Sequence, residues 1–276
     1  MNVAFATQPA AGRALNEDFI AATTQLVILL DGASVPEGLE TGCRHGTAWY
    51  VARLGTRLLE ELTAQPSQLL TDALATAIHG VAGLHADTCE LDHPGAPSAA
   101  LALLREADET VDYLVLADTT ILLDATSDFL VVSDDRLAQV AVTEHSAMHQ
   151  EATGTVSHQR RYADLVTELR RHRNQAKGYW VASSTPDAAY QALTGSIQRL
   201  ELRRAALLSD GATRLADRFG VMAWPRVFDL LDREGPSSLI MQTREAESSD
   251  PNGRRWPRSK RHDDASAVIC RFGWDS

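Results

Sequence analysis

The chain has 276 residues, 44% hydrophobic and 23% charged, which is ample for a packed core and describes one globular domain over residues 1–276. A formal net charge of -11 and a pI near 5.2 argue against wholesale binding to nucleic acid or an anionic membrane, because both reward a basic surface. Cys43, Cys89 and Cys270 include no CxxC pair, so neither a disulfide framework nor a thiolate zinc site is expected, and the expected compartment is the reducing cytoplasm.

The start, MNVAFATQPAAGR, has no basic region ahead of an apolar one, and no stretch approaches membrane-spanning length, so neither export nor anchoring is expected. Short strands are predicted at Val3 to Ala6 and Phe19 to Ala22, followed by a stronger apolar run from Leu26 to Leu30. Val51, Leu54, Leu58, Leu59 and Leu62 then fall at helical spacing, as do Leu70, Leu74, Ala77, Ile78 and Val81, giving helices over 48–62 and 69–84.

From Ala99 onward the pattern reads as an antiparallel meander, with strands at 99–104, 111–116, 121–123, 129–132 and 138–142 divided by polar turns. A polar stretch follows, with a helix around Tyr162 to Arg171 and a short one after Pro186. Ala205 to Leu208 reads as a buried strand, 226–233 and 237–247 as helices, and Ala265 onward as the last strand, preceded by the loop SSDPNGRRWPRSKRHDD. Strands, two helices, strands, two helices, strand is the order of an α+β sandwich: two central, mainly antiparallel sheets flanked by helix pairs in four αββα layers.

Three apolar runs end at or start from aspartate: LVILLDGAS with Asp31, AALLSDGAT with Asp210, and DDASAVICRF with Asp263 and Asp264. Any one Asp-Gly pair is most simply a good turn. Three carboxylates at the ends of buried strands, each costly to desolvate alone, instead invite a cation if the fold brings them to one rim. Glu17 and Asp18 add further carboxylates, and Arg13 adds a cation suited to bidentate phosphate contact.

In chain order these residues resemble the metal-dependent type 2C serine/threonine protein phosphatases, the PPM family, in its bacterial form. The matching pieces are Arg13-Ala-Leu-Asn-Glu17-Asp18, Asp31-Gly32, Pro97-Ser98-Ala99-Ala100, Ala117-Asp118-Thr119, Asp134-Asp135, Ser209-Asp210-Gly211 and Asp263-Asp264, spread over almost the whole chain. The resemblance implies a phosphomonoester hydrolase with two Mg2+ or Mn2+ ions and a bridging hydroxide that attacks phosphorus in line. Carried over, Asp31 bridges the ions, the Gly32 carbonyl ligates one, Asp210 and Asp264 ligate the other, Glu17 and Asp18 act at or beside the ions, and Arg13 grips the phosphate. Asp118 with Asp210 holds a third ion. The implied substrate is a phosphorylated protein or a small phosphoester, with a catalytically weak regulatory member as the alternative, and a monomer is expected.

Departures from the family pattern fall at Ala33, where a histidine often supplies a general acid, and at Ala117, where glycine is usual. The first leaves leaving-group protonation to water or Ser34; the second touches the turn of the third-ion site.

His85, Cys89 and His93 fall at successive four-residue steps, as do His145 and His149, spacings that would clasp zinc on a helix. Pro94 and the polar neighbours favour surface histidines and a buried thiol. Arg254, Arg255, Arg258, Lys260 and Arg261 form a basic cluster, either a phosphate-steering patch or a solvated loop, and a flap-like insert is expected at about 144–200.

Overall fold

A computed structural model describes residues 1–273. Its ten strands are β1 (Asn2–Gln8), β2 (Asp18–Ala22), β3 (Leu26–Gly32), β4 (Ala99–Glu106), β5 (Thr110–Leu116), β6 (Thr120–Ala125), β7 (Phe129–Ser133), β8 (Leu193–Gln198), β9 (Leu202–Leu208) and β10 (Ala265–Arg271). Seven α-helices accompany them: α1 (Gly46–Ala64), α2 (Leu70–His85), α3 (Val142–His149), α4 (Val156–His172), the single turn α5 (Asp210–Thr213), α6 (Trp224–Glu234) and α7 (Pro236–Ser249). The strands form two five-stranded sheets, β1-β10-β9-β6-β7 and β2-β3-β4-β5-β8, with every pair antiparallel.

The continuous apolar runs of the central strands follow from burial on both faces, with successive side chains alternating between two cores. Val27, Leu29, Ala102 and Leu104 face Ile121, Leu123, Leu207 and Val268 across the space between the sheets. Their neighbours Ile28, Leu30, Leu101 and Leu103 point outward, where Leu54, Leu58, Leu74 and Ile78 of α1 and α2 cover them. On the other side Leu122, Leu208, Ala267 and Ile269 meet Val227, Phe228, Leu231, Leu239 and Ile240 of α6 and α7. Helix pair, sheet, sheet and helix pair are thus stacked as the patterning predicts.

Four segments differ from the sequence expectation. Residues 138–142 form no strand: Arg136–Gln139 is a 3-10 turn and Val142 opens α3. Asp134 pins that turn, accepting from the Arg136 backbone N at 3.1 Å and from Arg136 Nε at 2.8 and 3.0 Å. Short apolar runs do not by themselves distinguish strand from helix. Conversely β8 is a strand without a strand pattern, because its sequence LTGSIQ is polar and it pairs only with β5 at a sheet edge. Thr155 caps α4 by accepting from His158 N at 3.2 Å, which sets a start earlier than Tyr162. The helix expected after Pro186 is a 3-10 turn over Pro186–Gln191.

No described helix is long and apolar enough to cross a membrane.

Candidate metal centre

The topology carries the carboxylates to one rim. Asp18 opens β2 and stands opposite Asp31, near the end of β3, in the antiparallel register. Asp118 lies in the turn that carries the chain from β5 in one sheet to β6 in the other. Asp210 follows β9 after Ser209 and opens α5, and Asp263 and Asp264 directly precede the neighbouring strand β10. The two sheets are joined at this point, where the Asp210 backbone N donates to Asp31 Oδ2 at 3.0 Å.

Close backbone approach explains the two glycines of the Asp-Gly pairs. A Cβ on Gly32 would lie 2.4 Å from the Glu17 carbonyl oxygen, and one on Gly211 would lie 1.9 Å from that of Asp264. Gly32 N donates to the Glu17 oxygen at 3.1 Å, so the Arg13–Asp18 loop is held directly against the Asp31 turn. At Ala117 the backbone adopts φ +65, the left-handed conformation that suits glycine, so the alanine is strained there.

Asp18, Asp263 and Asp264 are buried and Asp31, Asp118 and Asp210 half-buried, and negative charge outweighs positive among them. Burial, with the charges of Asp264, Asp263 and Asp210 added, outweighs the lowering effect of the nearby Ser266 hydroxyl and drives the Asp18 pKa up to about 8. Burial together with Asp18, Asp210 and Asp118 pushes Asp31 well above the ordinary carboxylate range. Asp210 rises to about 7, from burial and then Asp263, and burial raises Asp118. Both Asp18 oxygens are buried without a hydrogen-bond partner. The neighbouring Ser266 hydroxyl donates instead to Thr7 Oγ1 at 2.8 Å. A buried carboxylate in that state is unfavourable by itself and is what a hard cation relieves.

Asp263 and Asp264 divide their work in a way the sequence does not reveal. Both Asp264 oxygens accept from backbone amides, Ala10 N and Glu17 N, each at 2.6 Å, so this side chain fastens the Arg13–Asp18 loop to the start of β10. Asp263 is the member whose charge reaches Asp31, Asp118 and Asp210. It is countered by Lys260 Nζ at 2.8 Å and Arg214 at 3.1 Å. Burial would raise its pKa, but these two cations outweigh burial and hold it below the ordinary carboxylate range. Among the described residues, Asp18, Asp31, Asp118 and Asp210 make no ion pair of this kind.

At the margin, Arg13 is half exposed and donates to Glu17 Oε2 at 3.3 Å. Ser34 Oγ donates to the same oxygen. Tyr162, from α4, stands close enough for Lys260, Asp263 and Asp210 to affect its titration, with burial the main cause of its raised pKa. The segment expected as a flap therefore contributes a side chain beside the rim.

Two of the five residues of the basic cluster are structural. Arg258 is 1% exposed and donates to the backbone oxygens of Trp256, Glu247 and Asp250 at 2.9, 3.1 and 2.5 Å. Lys260 is paired with Asp263, which leaves Arg254, Arg255 and Arg261 exposed.

The zinc expectation also needs correction. His93 does not join His85 and Cys89; its Nδ1 accepts from Gly95 N at 2.9 Å. Cys89 and His85 instead meet Cys43 and His45, so a two-thiol, two-imidazole cluster exists that cysteine spacing did not suggest. His145 and His149 pack as a tilted pair with ring centroids 6.1 Å apart and belong to no such cluster among the described residues.

No family model and no curated protein matches this sequence. Solved structures do match over nearly its full length. The Mycobacterium tuberculosis serine/threonine phosphatase PstP/Ppp superposes with a TM-score of 0.58 at 13% identity, covering 99% of each chain. Staphylococcus aureus serine/threonine phosphatase Stp1 gives 0.60 at 13% identity, covering 99% of this chain and 96% of that one. The catalytic domain of PstP in complex with two manganese ions gives 0.57 at 15% identity, covering 97% and 96%. The chain thus has the fold of the bacterial PPM-type phosphatases.

Proposed function

We propose that this chain is a metal-dependent phosphomonoester hydrolase acting on phosphoserine or phosphothreonine. The observation that carries the reading is the buried, unpartnered Asp18 carboxylate, set among Asp31, Asp118 and Asp210 where two sheets meet. The donor set is all oxygen, which suits Mg2+ or Mn2+ rather than a soft metal, and the manganese-bearing neighbour of the same fold supports that choice.

In this reading Asp31, Asp210, Asp18 and the Gly32 carbonyl hold two ions, and Asp118 with Asp210 serves a third. Asp263, rather than Asp264, takes the ligand role at the start of β10, because its charge is the one that acts on Asp31, Asp118 and Asp210, although Lys260 and Arg214 also hold its oxygens. Glu17 acts at the edge through its contacts with Arg13 and Ser34. When bound, the ions supply a nucleophilic water and neutralise charge that develops on the phosphoryl oxygens. Arg13, half exposed, orients the phosphate by paired guanidinium contacts. Ser34 is the hydroxyl placed beside it, in the absence of a histidine at Ala33.

A second reading, a regulatory member with little turnover, is favoured by one feature: Lys260 and Arg214 already neutralise Asp263 and weaken the pull of the pocket on cations. Hydrolysis of phosphopeptides and of a chromogenic aryl phosphate, with and without Mn2+ or Mg2+, separates the two. For the hydrolase, turnover depends on metal, and Asp31→Asn and Asp210→Asn each reduce it by at least about 10²-fold. Metal binding without metal-dependent turnover establishes the regulatory reading instead. Preference for a small phosphorylated metabolite over every phosphopeptide replaces the protein substrate while retaining the chemistry.

A further inference from the structure

The chain carries a second donor cluster of opposite chemical character. Cys43 and His45 lie in the loop between β3 and α1, with His45 immediately before the helix. His85 is the last residue of α2, and Cys89 lies in the turn beyond it, where Thr88 N donates to the His85 oxygen at 3.1 Å. One ligand atom from each of the four lies within 4.8 Å of all the others.

Two of the separations match the edges of a coordination tetrahedron, and the two made by Cys89 are shorter than an occupied site would hold them. With Zn–S of about 2.3 Å and Zn–N of about 2.0–2.1 Å, tetrahedral angles put sulfur about 3.6 Å from nitrogen and about 3.8 Å from sulfur. Cys43 Sγ lies 3.7 Å from His45 Nδ1 and 3.6 Å from His85 Nδ1. Cys89 Sγ lies 3.3 Å from His45 Nδ1 and 3.2 Å from Cys43 Sγ. A disulfide would need only the two sulfurs; it gives no reason for two imidazole nitrogens to face them. The imidazoles are also held in place, since Trp49 stacks on His45 with centroids 4.3 Å apart and packs against His85 at 5.1 Å. Such packing fixes ring orientation around a site and restricts water.

We propose that Cys43, His45, His85 and Cys89 bind zinc in a closed, structural Cys2His2 site, separate from the carboxylate rim. Two thiolates and two imidazoles in a tetrahedral arrangement select Zn2+ over Mg2+ or Mn2+. The four ligands leave no open position, so the metal serves as a clasp. It ties the loop leaving the Asp31–Gly32 turn to the end of α2. That loop is held near its start by Ala33 N donating to the Ser98 oxygen at 2.9 Å, and near its end by Glu90 N donating to the Gly42 oxygen at 2.8 Å. The clasp adds a bond of much greater strength beside the second contact and fixes the entry to α1.

Metal analysis tests this independently of any phosphatase activity. Protein bearing Asp31→Asn and Asp210→Asn, purified under reducing conditions and dialysed against a weak chelator, is expected to retain about one zinc per chain. Adding Cys43→Ser and Cys89→Ser is expected to remove it. Because the latter change can also unfold the chain, the wild-type protein is loaded with Co2+ in parallel. The expected spectrum has thiolate-to-cobalt charge transfer and the intense visible bands of tetrahedral cobalt. Alkylation of Cys43 and Cys89 is expected to be slow in zinc-loaded protein and fast after zinc is stripped.

Zinc retained by the double serine variant overturns the proposal, as does a cobalt spectrum without thiolate bands. So does a Cys43–Cys89 disulfide in native protein that, once reduced, takes up no zinc.

Discussion

At the scale of single residues the rim is organised by contacts too close for a side chain. Gly211 shows this most directly, because a Cβ there would stand 1.9 Å from the Asp264 oxygen and 3.3 Å from Ala265 Cα, both backbone atoms. Backbone cannot swing aside as a flexible side chain can, so α5 and the start of β10 must separate. Gly211→Ala is expected to lower stability by about 1–3 kcal/mol, as overpacking generally does. It should also weaken metal-dependent activity, since Asp210 opens α5 and Asp263 lies just before β10, the two pieces pushed apart. Urea unfolding and metal titration of the same variant check both parts; unchanged stability would show that the strands part freely. A single Asp-Gly pair reads only as a turn; the rim is legible in the sequence because three apolar runs each meet an aspartate. The distinct roles of Asp263 and Asp264 are not. Adjacent identical residues on an extended chain point to opposite sides, and only the positions of Ala10, Glu17, Lys260 and Arg214 decide which side is the pocket.

At the scale of elements, hydrophobic period carried the reading where both neighbours of an element are apolar, and failed where they are not. The central strands and α1, α2, α6 and α7 were visible because each presents a full stripe to a core. β8 at its polar edge and the 3-10 turn pinned by Asp134 and Arg136 owe their form to hydrogen bonds with distant or local partners, which leave no period. The basic loop before β10 is a similar case. Composition leaves open a phosphate-steering patch or a solvated loop, yet Arg258 threads inward and closes three backbone carbonyls from 247, 250 and 256. Arg258→Met keeps most of the bulk and abandons those acceptors, so it is expected to cost about 3 kcal/mol in urea unfolding. Arg254→Gln with Arg255→Gln, on exposed positions, is expected to leave stability within about 0.5 kcal/mol. If these residues steer substrate, that pair flattens the salt dependence of kcat/KM. An unchanged salt dependence removes steering by these two arginines.

At the scale of the molecule, the fold gathers into one place negative charge that its sequence distributes from residue 17 to residue 264. The zinc cluster is assembled in the same manner, from two dyads, Cys43 with His45 and His85 with Cys89, and it escaped notice because each dyad alone is a common pattern. Convergence of separate strand ends is a property of sheet order, and linear spacing does not encode it. The energetic consequence for the carboxylates can be measured without a substrate. Asp18 and Asp210, at about 8 and about 7 in the folded chain, bind protons more tightly there than in the unfolded chain, where aspartate titrates near 4. Between those limits the native state holds more protons, so stability is greatest below about pH 4 on this account and is lost as pH rises through 7 to 8. Protein free of Mg2+ and Mn2+ is therefore expected to melt at a lower temperature at pH 8 than at pH 5.5, by about 5 °C or more. Added Mn2+ should reverse the trend, since it binds the deprotonated carboxylates and gains as protons leave. Asp31→Asn removes one of the crowded charges and should raise the metal-free melting temperature at pH 8 while lowering the gain from Mn2+. A metal-free melting temperature that does not depend on pH over this range would mean that these carboxylates are solvated in the folded state, and the case for a buried cation site would fall with it.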